Sequence, residues 1–348
     1  MIKSLTSLRG IFILFIFFHH CMNIYPGGGT MAVAFFFVLG GFSMTLGYKD
    51  KVTKSDFNYQ QFLTRRCIKF YPLHWLCLML AMPLALLSFS WFDVPKLILN
   101  VALLQTWIPI MDYYFSFNWV SWYLADTMIF AVVFPFVFKW IDSATTKKKV
   151  MMVMVMAIIY TFVVLMISGD LFHAILYISP YMRLMDFIFG ILLAITYLNL
   201  IEKLQVTWSC VKYQIVIFSL IVFLVVESCL LSEKETFFAP VYWIPIALLI
   251  IITSLSERGW GGHLFLKNKY IVKLGELSFI FFMIHQIILR YTWIIFEKIL
   301  YIDTSVIIYI VFTLVLTLIA SIIIDKHFLK PITQWLTKRT QRSMIAHS

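Results

Sequence analysis

Charge is scarce in this chain: 13% of its 348 residues are Asp, Glu, Lys or Arg. The 17 acidic residues are spread thinly, and no polar stretch is long enough to fold as a separate soluble domain. Set against 62% hydrophobic residues and a mean hydropathy of +0.91, that shortage excludes an ordinary soluble protein. A chain of this length cannot hide so much apolar surface from water. Cysteine is scarce too. Cys21, Cys67, Cys77, Cys210 and Cys229 are odd in number and scattered, without metal-ligand spacing. Free thiols are expected, with no structural disulfide and no zinc or other metal. The first apolar run, headed by Lys3, lacks a small-residue cleavage site, so it is expected to be a retained first span. Internal repeats are missing as well, which removes support for an inverted-repeat transporter.

What is present is a succession of apolar runs. They lie near 4–24, 31–48, 70–90, 119–140, 149–168, 181–200, 212–231, 239–256, 272–296 and 303–325. The expected fold class is all-α: a polytopic transmembrane helix bundle of about ten spans, forming one domain over the whole chain. The segment 91–118 is apolar but interrupted by Pro95 and Pro109, and reads as a re-entrant or outer-surface element.

Lysine and arginine set the orientation. With the N-terminus inside, the inward loops hold Lys49, Lys51, Lys54, Arg65, Arg66 and Lys69, then Lys139 and Lys147 to Lys149. Further along they hold Lys203 and Lys212, then Arg258, Lys267, Lys269 and Lys273, and finally Lys326, Lys330, Lys338, Arg339 and Arg342. The outward loops hold Lys96, Lys234 and Lys298. Both termini are therefore expected in the cytoplasm, and the net charge of +11 reads as a topology signal, with no nucleic acid as partner. The partner expected from composition is the lipid bilayer; the oligomeric state is left open.

A charge within a membrane helix costs about 2.5–3.5 kcal/mol on insertion scales, so each one is a candidate for function. Arg9 and His20 are eleven residues apart, close to three helical turns, and share one face about 16 Å apart along the axis. Arg183, Arg290, Asp126, Asp186, Glu227, Asp325, His19 and His285 are further candidates among the ionisable groups within or near spans. By depth, His20, Asp126, Asp186 and His285 are expected between the midplane and the outer interface, with Arg9 nearer the cytoplasm.

Each has a plainer alternative. Arg9 snorkels to the interface, or it works with His20. Asp126 hydrogen-bonds a neighbouring helix, or it orients a base. Arg183 and Asp186, three apart, form an internal ion pair, or Arg183 meets a substrate. His285 is structural or ligand-facing. Arg65, Arg66 and Lys69 beside Tyr71-Pro72 are ordinary inward charges, or they bind a phosphate-rich ligand. The aromatic stretch from Trp107 through Trp119 and Trp122 to Tyr123 is an interfacial belt, or it offers flat faces to a sugar.

Several motifs together resemble the membrane-bound acyltransferase-3 family, whose members O-acylate cell-surface glycans. Leu8-Arg9-Gly10 with His20 resembles the family's arginine–histidine signature. Phe36-Phe37-Val38-Leu39-Gly40-Gly41-Phe42 resembles its FFVLSGF segment, with Gly40 in place of serine. Arg65-Arg66-x-x-Lys69-x-Tyr71-Pro72 resembles its RRxxRIYP loop. Ser179-Pro180-Tyr181-x-Arg183-x-x-x-Phe187-x-x-Gly190 and Leu274-Gly275-Glu276-Leu277-Ser278 followed by His285 resemble two later segments, and Asp325-Lys326-His327-Phe328 a third. The family's Trp-x-Leu-Ser-x-Glu segment reads here Trp122-Tyr123-Leu124-Ala125-Asp126-Thr127, with threonine at the glutamate.

The resemblance implies an acyltransferase in the bacterial inner membrane. It would move an acyl group from cytoplasmic acyl-coenzyme A, acetyl-coenzyme A first, to a hydroxyl of a cell-surface or lipid-linked glycan. His20, Arg9 and Asp126 would be catalytic. Arg65, Arg66, Lys69 and Tyr71 would hold the coenzyme, and Arg183, His285 and Trp122 the acceptor. The alternative is a non-enzymatic transporter or flippase for a glycan or lipid-linked sugar.

Overall fold

The computed structural model describes residues 2–22, 28–86, 90–169, 171–201, 210–231, 238–256, 266–301 and 305–346. Among them there are helices and no strand. Lys203, Lys234 and Arg258, on which part of the orientation rests, lie outside the described residues.

In chain order the helices are α1 (Lys3–Met22), α2 (Gly28–Val52), α3 (Tyr59–Leu86), α4 (Val94–Val101), α5 (Met111–Tyr114), α6 (Ser121–Asp142), α7 (Thr146–Met166), α8 (Leu171–His173), α9 (Pro180–Ile201), α10 (Cys210–Leu230), α11 (Pro240–Ser256), α12 (Lys269–Ile294), α13 (Val306–Ile324) and α14 (Lys330–Ala346). Each of the ten expected runs is helical over most of its described residues. Nine helical stretches among the described residues are long and apolar enough to cross a membrane, whereas α11, at 17 residues, is shorter. The segment 91–118 contains no helix longer than the 8 residues of α4, about 12 Å.

Helix ends follow local chemistry. Asn58 accepts from Gln61 N–H at 2.8 Å, so α3 begins at Tyr59, well before the apolar run. Arg65, Arg66 and Lys69 are therefore helical, a correction to the loop expected for them: an N-cap overrides a polar composition. Proline opens α9 and α11, where its missing N–H costs nothing. Thr145 and Ser305 cap α7 and α13.

The chain divides into two compact units, Met1–Phe57 with Val132–Glu276, and Asn58–Ala131 with Leu277–Ser348. In the first, α2 and α9 cross on glycine. A Cβ on Gly190 would overlap the Val38 carbonyl, and one on Gly41 would overlap the Phe187 carbonyl. The two backbones touch because neither position has a side chain. Gly275, at the start of α12, meets Thr6 of α1 in the same way, and a Cβ on Gly10 would press on Gly275. Phe12 and Phe35 stack at 3.7 Å between α1 and α2.

In the second unit, α3 carries the segment 91–118. Tyr71 OH donates to the Ala102 carbonyl (3.1 Å), His74 Nε2 meets the Asn100 carbonyl (2.8 Å) and Trp75 Nε1 donates to the Val101 carbonyl (3.3 Å). Positions 71, 74 and 75 share a helical face, and together they satisfy the carbonyls at the C-terminal end of α4. Leu103 follows with φ 58°, and Leu104 N–H closes on the Leu99 carbonyl at 2.8 Å. At the far end of the segment, Phe117 has φ 57°; its carbonyl accepts from Arg290 at 3.0 Å.

Candidate functional site

The helix α1 is unbroken from Lys3 to Met22, so Arg9 and His20 keep the common face that their spacing implies. Arg9 is half-buried and His20, in the last turn, is exposed. His19 points elsewhere: it is half-buried against Gly29 of α2, where a Cβ would collide with its ring. The two imidazoles are 5.3 Å apart at 56°. His20 thus presents its ring outward from the helix packing, while its neighbour fills a gap.

Arg183 lies in the same unit, fully buried on α9. Its Nε–H donates to the Tyr177 carbonyl at 2.8 Å and Nη1 to Asp186 at 2.9 Å. The guanidinium also sits over the Tyr177 ring, 5.0 Å from its centre. The other Asp186 oxygen accepts from Trp243 Nε1 of α11 at 2.7 Å. Nearby, Tyr160 of α7 donates to the Met182 carbonyl at 2.8 Å. The internal ion pair is therefore present, and Trp243 is the partner that sequence reading missed. Burial leaves one arginine nitrogen, Nη2, without a protein acceptor.

The remaining candidates belong to the second unit. Arg65 and Lys69, four apart on α3, are exposed on one face. Arg66 turns inward, 7% exposed, with its guanidinium over Phe62 at 5.2 Å. Tyr71 is half-buried and committed to the Ala102 carbonyl. Trp122 and Asp126 are buried one turn apart on α6. Thr127, at the family's glutamate position, bonds back to the Tyr123 carbonyl at 2.8 Å, as a helical threonine does. His285 is fully buried on α12, its Nδ1 2.6 Å from the Phe282 carbonyl and its ring parallel to Phe281. Tyr123 and Phe282 meet edge to face at 5.2 Å, which ties α6 to α12.

The aromatic stretch is divided. Trp107 and Trp119 are exposed, while Tyr114, Phe117 and Trp122 are buried. Around them is a polar group that the sequence reading passed over: His74, Asn100, Gln105, Thr106, Asn118 and Ser121, all buried. The one signal was an excess of amides and hydroxyls inside an apolar segment. On its outer side Lys96 bonds Asp93 at 2.8 Å and also Asp112. The Lys96 bond, aided by Ser90, holds the Asp93 carboxyl down from the ordinary 3.8 to about 2. The two carboxylates raise Lys96 in turn, Asp112 most.

Among the described residues, Cys21, Cys67, Cys77 and Cys229 form no disulfide. Among the described residues no three His, Cys, Asp or Glu are placed to share a metal ion.

The family model described as an acyltransferase domain matches residues 2–326. Acyltransferase MdmB of Streptomyces mycarofaciens is 25% identical over 283 residues, 76% of this chain and 69% of the relative. No solved structure matches. With a family model covering both units almost end to end, this chain is an integral membrane acyltransferase and belongs to the acyltransferase-3 family.

Proposed function

We propose that this protein is a transmembrane O-acyltransferase of the bacterial inner membrane, using cytoplasmic acyl-coenzyme A, acetyl-coenzyme A first, to acylate a hydroxyl of a cell-surface or lipid-linked glycan. The observation that carries the reading is the family match together with the disposition of α1, which holds Arg9 and exposes His20 on one face. Both termini lie in the cytoplasm on the loop-charge argument.

In this reaction the glycan hydroxyl oxygen attacks the thioester carbonyl while His20 takes its proton. The C–O bond forms as the C–S bond breaks, and the coenzyme leaves as a thiol after recovering the proton from the imidazolium. In a two-step variant the imidazole itself takes the acyl group and then gives it to the hydroxyl. Arg9 supplies positive charge on the same helical face, and Asp126 orients a catalytic group. The charged end of the donor cannot enter lipid, so it stays with Arg65 and Lys69, whose exposed side chains suit phosphates. Arg66, packed on Phe62, supports them from inside the helix face. Arg183, His285 and Trp122 serve the acceptor side.

The test is acyl-coenzyme A turnover by purified full-length protein, with and without His20→Ala, beside O-acyl analysis of the surface polysaccharide in a deletion strain. Turnover that depends on His20 supports the enzyme. A wild-type protein that consumes no acyl-coenzyme A yet moves lipid-linked sugar across vesicles replaces it with the transporter.

A further inference from the structure

We propose that the buried polar cluster beneath the segment 91–118 is a binding site for a neutral polyhydroxyl ligand, a sugar held through its hydroxyl protons. The ligand's identity as a sugar rests on the glycan acceptor proposed above; the hydrogen-bond chemistry does not.

The argument is a count of donors and acceptors within one unit. Asn100 Nδ2 donates to Ser116 Oγ at 2.8 Å, and Ser116 Oγ donates to the Tyr113 carbonyl at 2.7 Å. Gln105 Nε2 donates to Ser121 Oγ at 3.1 Å, and Ser121 Oγ donates on to Asn100 Oδ1 at 3.4 Å. Asn118 Nδ2 donates to the Met283 carbonyl at 3.0 Å. His74 Nε2 faces the Asn100 carbonyl, which can only accept, so Nε2 carries the proton. Every side-chain amide in the cluster thus spends a donor on the protein.

What is left over is mainly acceptors, beside one spare N–H each on Gln105 and Asn118. His74 Nδ1, Gln105 Oε1 and Asn118 Oδ1 are buried acceptors with no protein donor, joined by the Thr106 hydroxyl. All four residues are at most 3% exposed. Leaving such atoms unmet is expensive. Three bare acceptors, with no carboxylate among them, call for a neutral hydrogen-bond donor. The exposed indoles of Trp107 and Trp119 directly follow Thr106 and Asn118 in the chain. One face of Trp119 carries the Arg290 guanidinium at 4.9 Å. Buried amide acceptors of this kind suit the hydroxyl rim of a sugar ring.

The experiment is equilibrium binding of radiolabelled glucose and N-acetylglucosamine to full-length purified protein, with coenzyme A binding measured on the same preparations. Saturable sugar binding is expected, weakened about tenfold for each hydrogen bond lost in Thr106→Val or Gln105→Met. Coenzyme A affinity should stay the same in both. Gln105→Met also removes the bond to Ser121, so Thr106→Val, which removes only the unmet hydroxyl, decides if the former does not fold. Thr106→Val should also raise the melting temperature, because it deletes a buried polar atom without a partner. The proposal is overturned if neither sugar binds saturably, if folded Thr106→Val binds as wild type does, or if Thr106→Val melts lower. Sugar binding without coenzyme A binding leaves this site standing and removes the donor reading; the reverse removes this site alone.

Discussion

Two neighbouring histidines show how a single residue's surroundings set its role. His20 is exposed at the end of α1, and His19 is wedged against Gly29. His20→Ala should therefore lower acyl transfer by about 10²–10⁴-fold at unchanged melting temperature. His19→Ala should do the opposite, a small loss of activity with a lower melting temperature, because it empties a packed gap. Rate and thermal melting of the two variants check this; equal, mild effects on rate would reject the assignment. The basic cluster separates in the same way. Arg65→Ala and Lys69→Ala should weaken coenzyme A binding and flatten its salt dependence. Arg66→Ala should chiefly cost stability, since its guanidinium is packed on Phe62. The sequence showed three cations in five positions but not which one turns inward, because that depends on what lies across the helix.

At the level of elements, the glycines inside the family motifs are packing devices. Gly41 and Gly190 let α2 and α9 touch backbone to backbone, and Gly275 does so for α12 against α1. Gly190→Ala and Gly275→Ala should each destabilise by about 1–3 kcal/mol or more, as overpacking does. Gly47→Ala, with open space around it, should not lower the melting temperature. Thermal melting of the three variants in one detergent is the measurement. The segment 90–112 offers a pH test. The Asp93 carboxyl is held low by Lys96 and Ser90, so the ionised form is favoured in the fold. Its contribution is fully present above the ordinary 3.8 and is lost as pH falls toward about 2. Hydrogen exchange in the peptides around α4 should rise across that window in wild type and be insensitive to it in Asp93→Asn. The ten apolar runs were legible because hydropathy is a local property. The capping of α4 by Tyr71, His74 and Trp75 was not, since partners about 26–31 residues away carry no periodic signal.

For the whole molecule, orientation is the property left to solution. With the five native cysteines replaced, a cysteine at Thr236 should be labelled by a membrane-impermeant reagent in intact cells, and one at Thr146 should not. Thr146 opens α7, and Thr236 lies outside the described residues. Labelling at Thr146 would reverse the assignment of both termini. Distribution of function was only partly readable. The family motifs name residues on both units, with α1 and α9 in one and α3 in the other. Their order along the chain says nothing of this partition, and the buried amides of 100–118 belong to no motif noted in the sequence.

The Arg183–Asp186 pair also bears on how the chain is made. Both partners ride on one helix, so α9 reaches the insertion machinery with its charges already cancelling, and the penalty for an isolated intramembrane arginine is reduced. The second Asp186 oxygen waits for Trp243, which is synthesised 57 residues later. Between those two moments α9 is neutral but incompletely satisfied, so a ribosome stalled before α11 should leave a nascent chain whose α9 is held by the insertase rather than released to lipid.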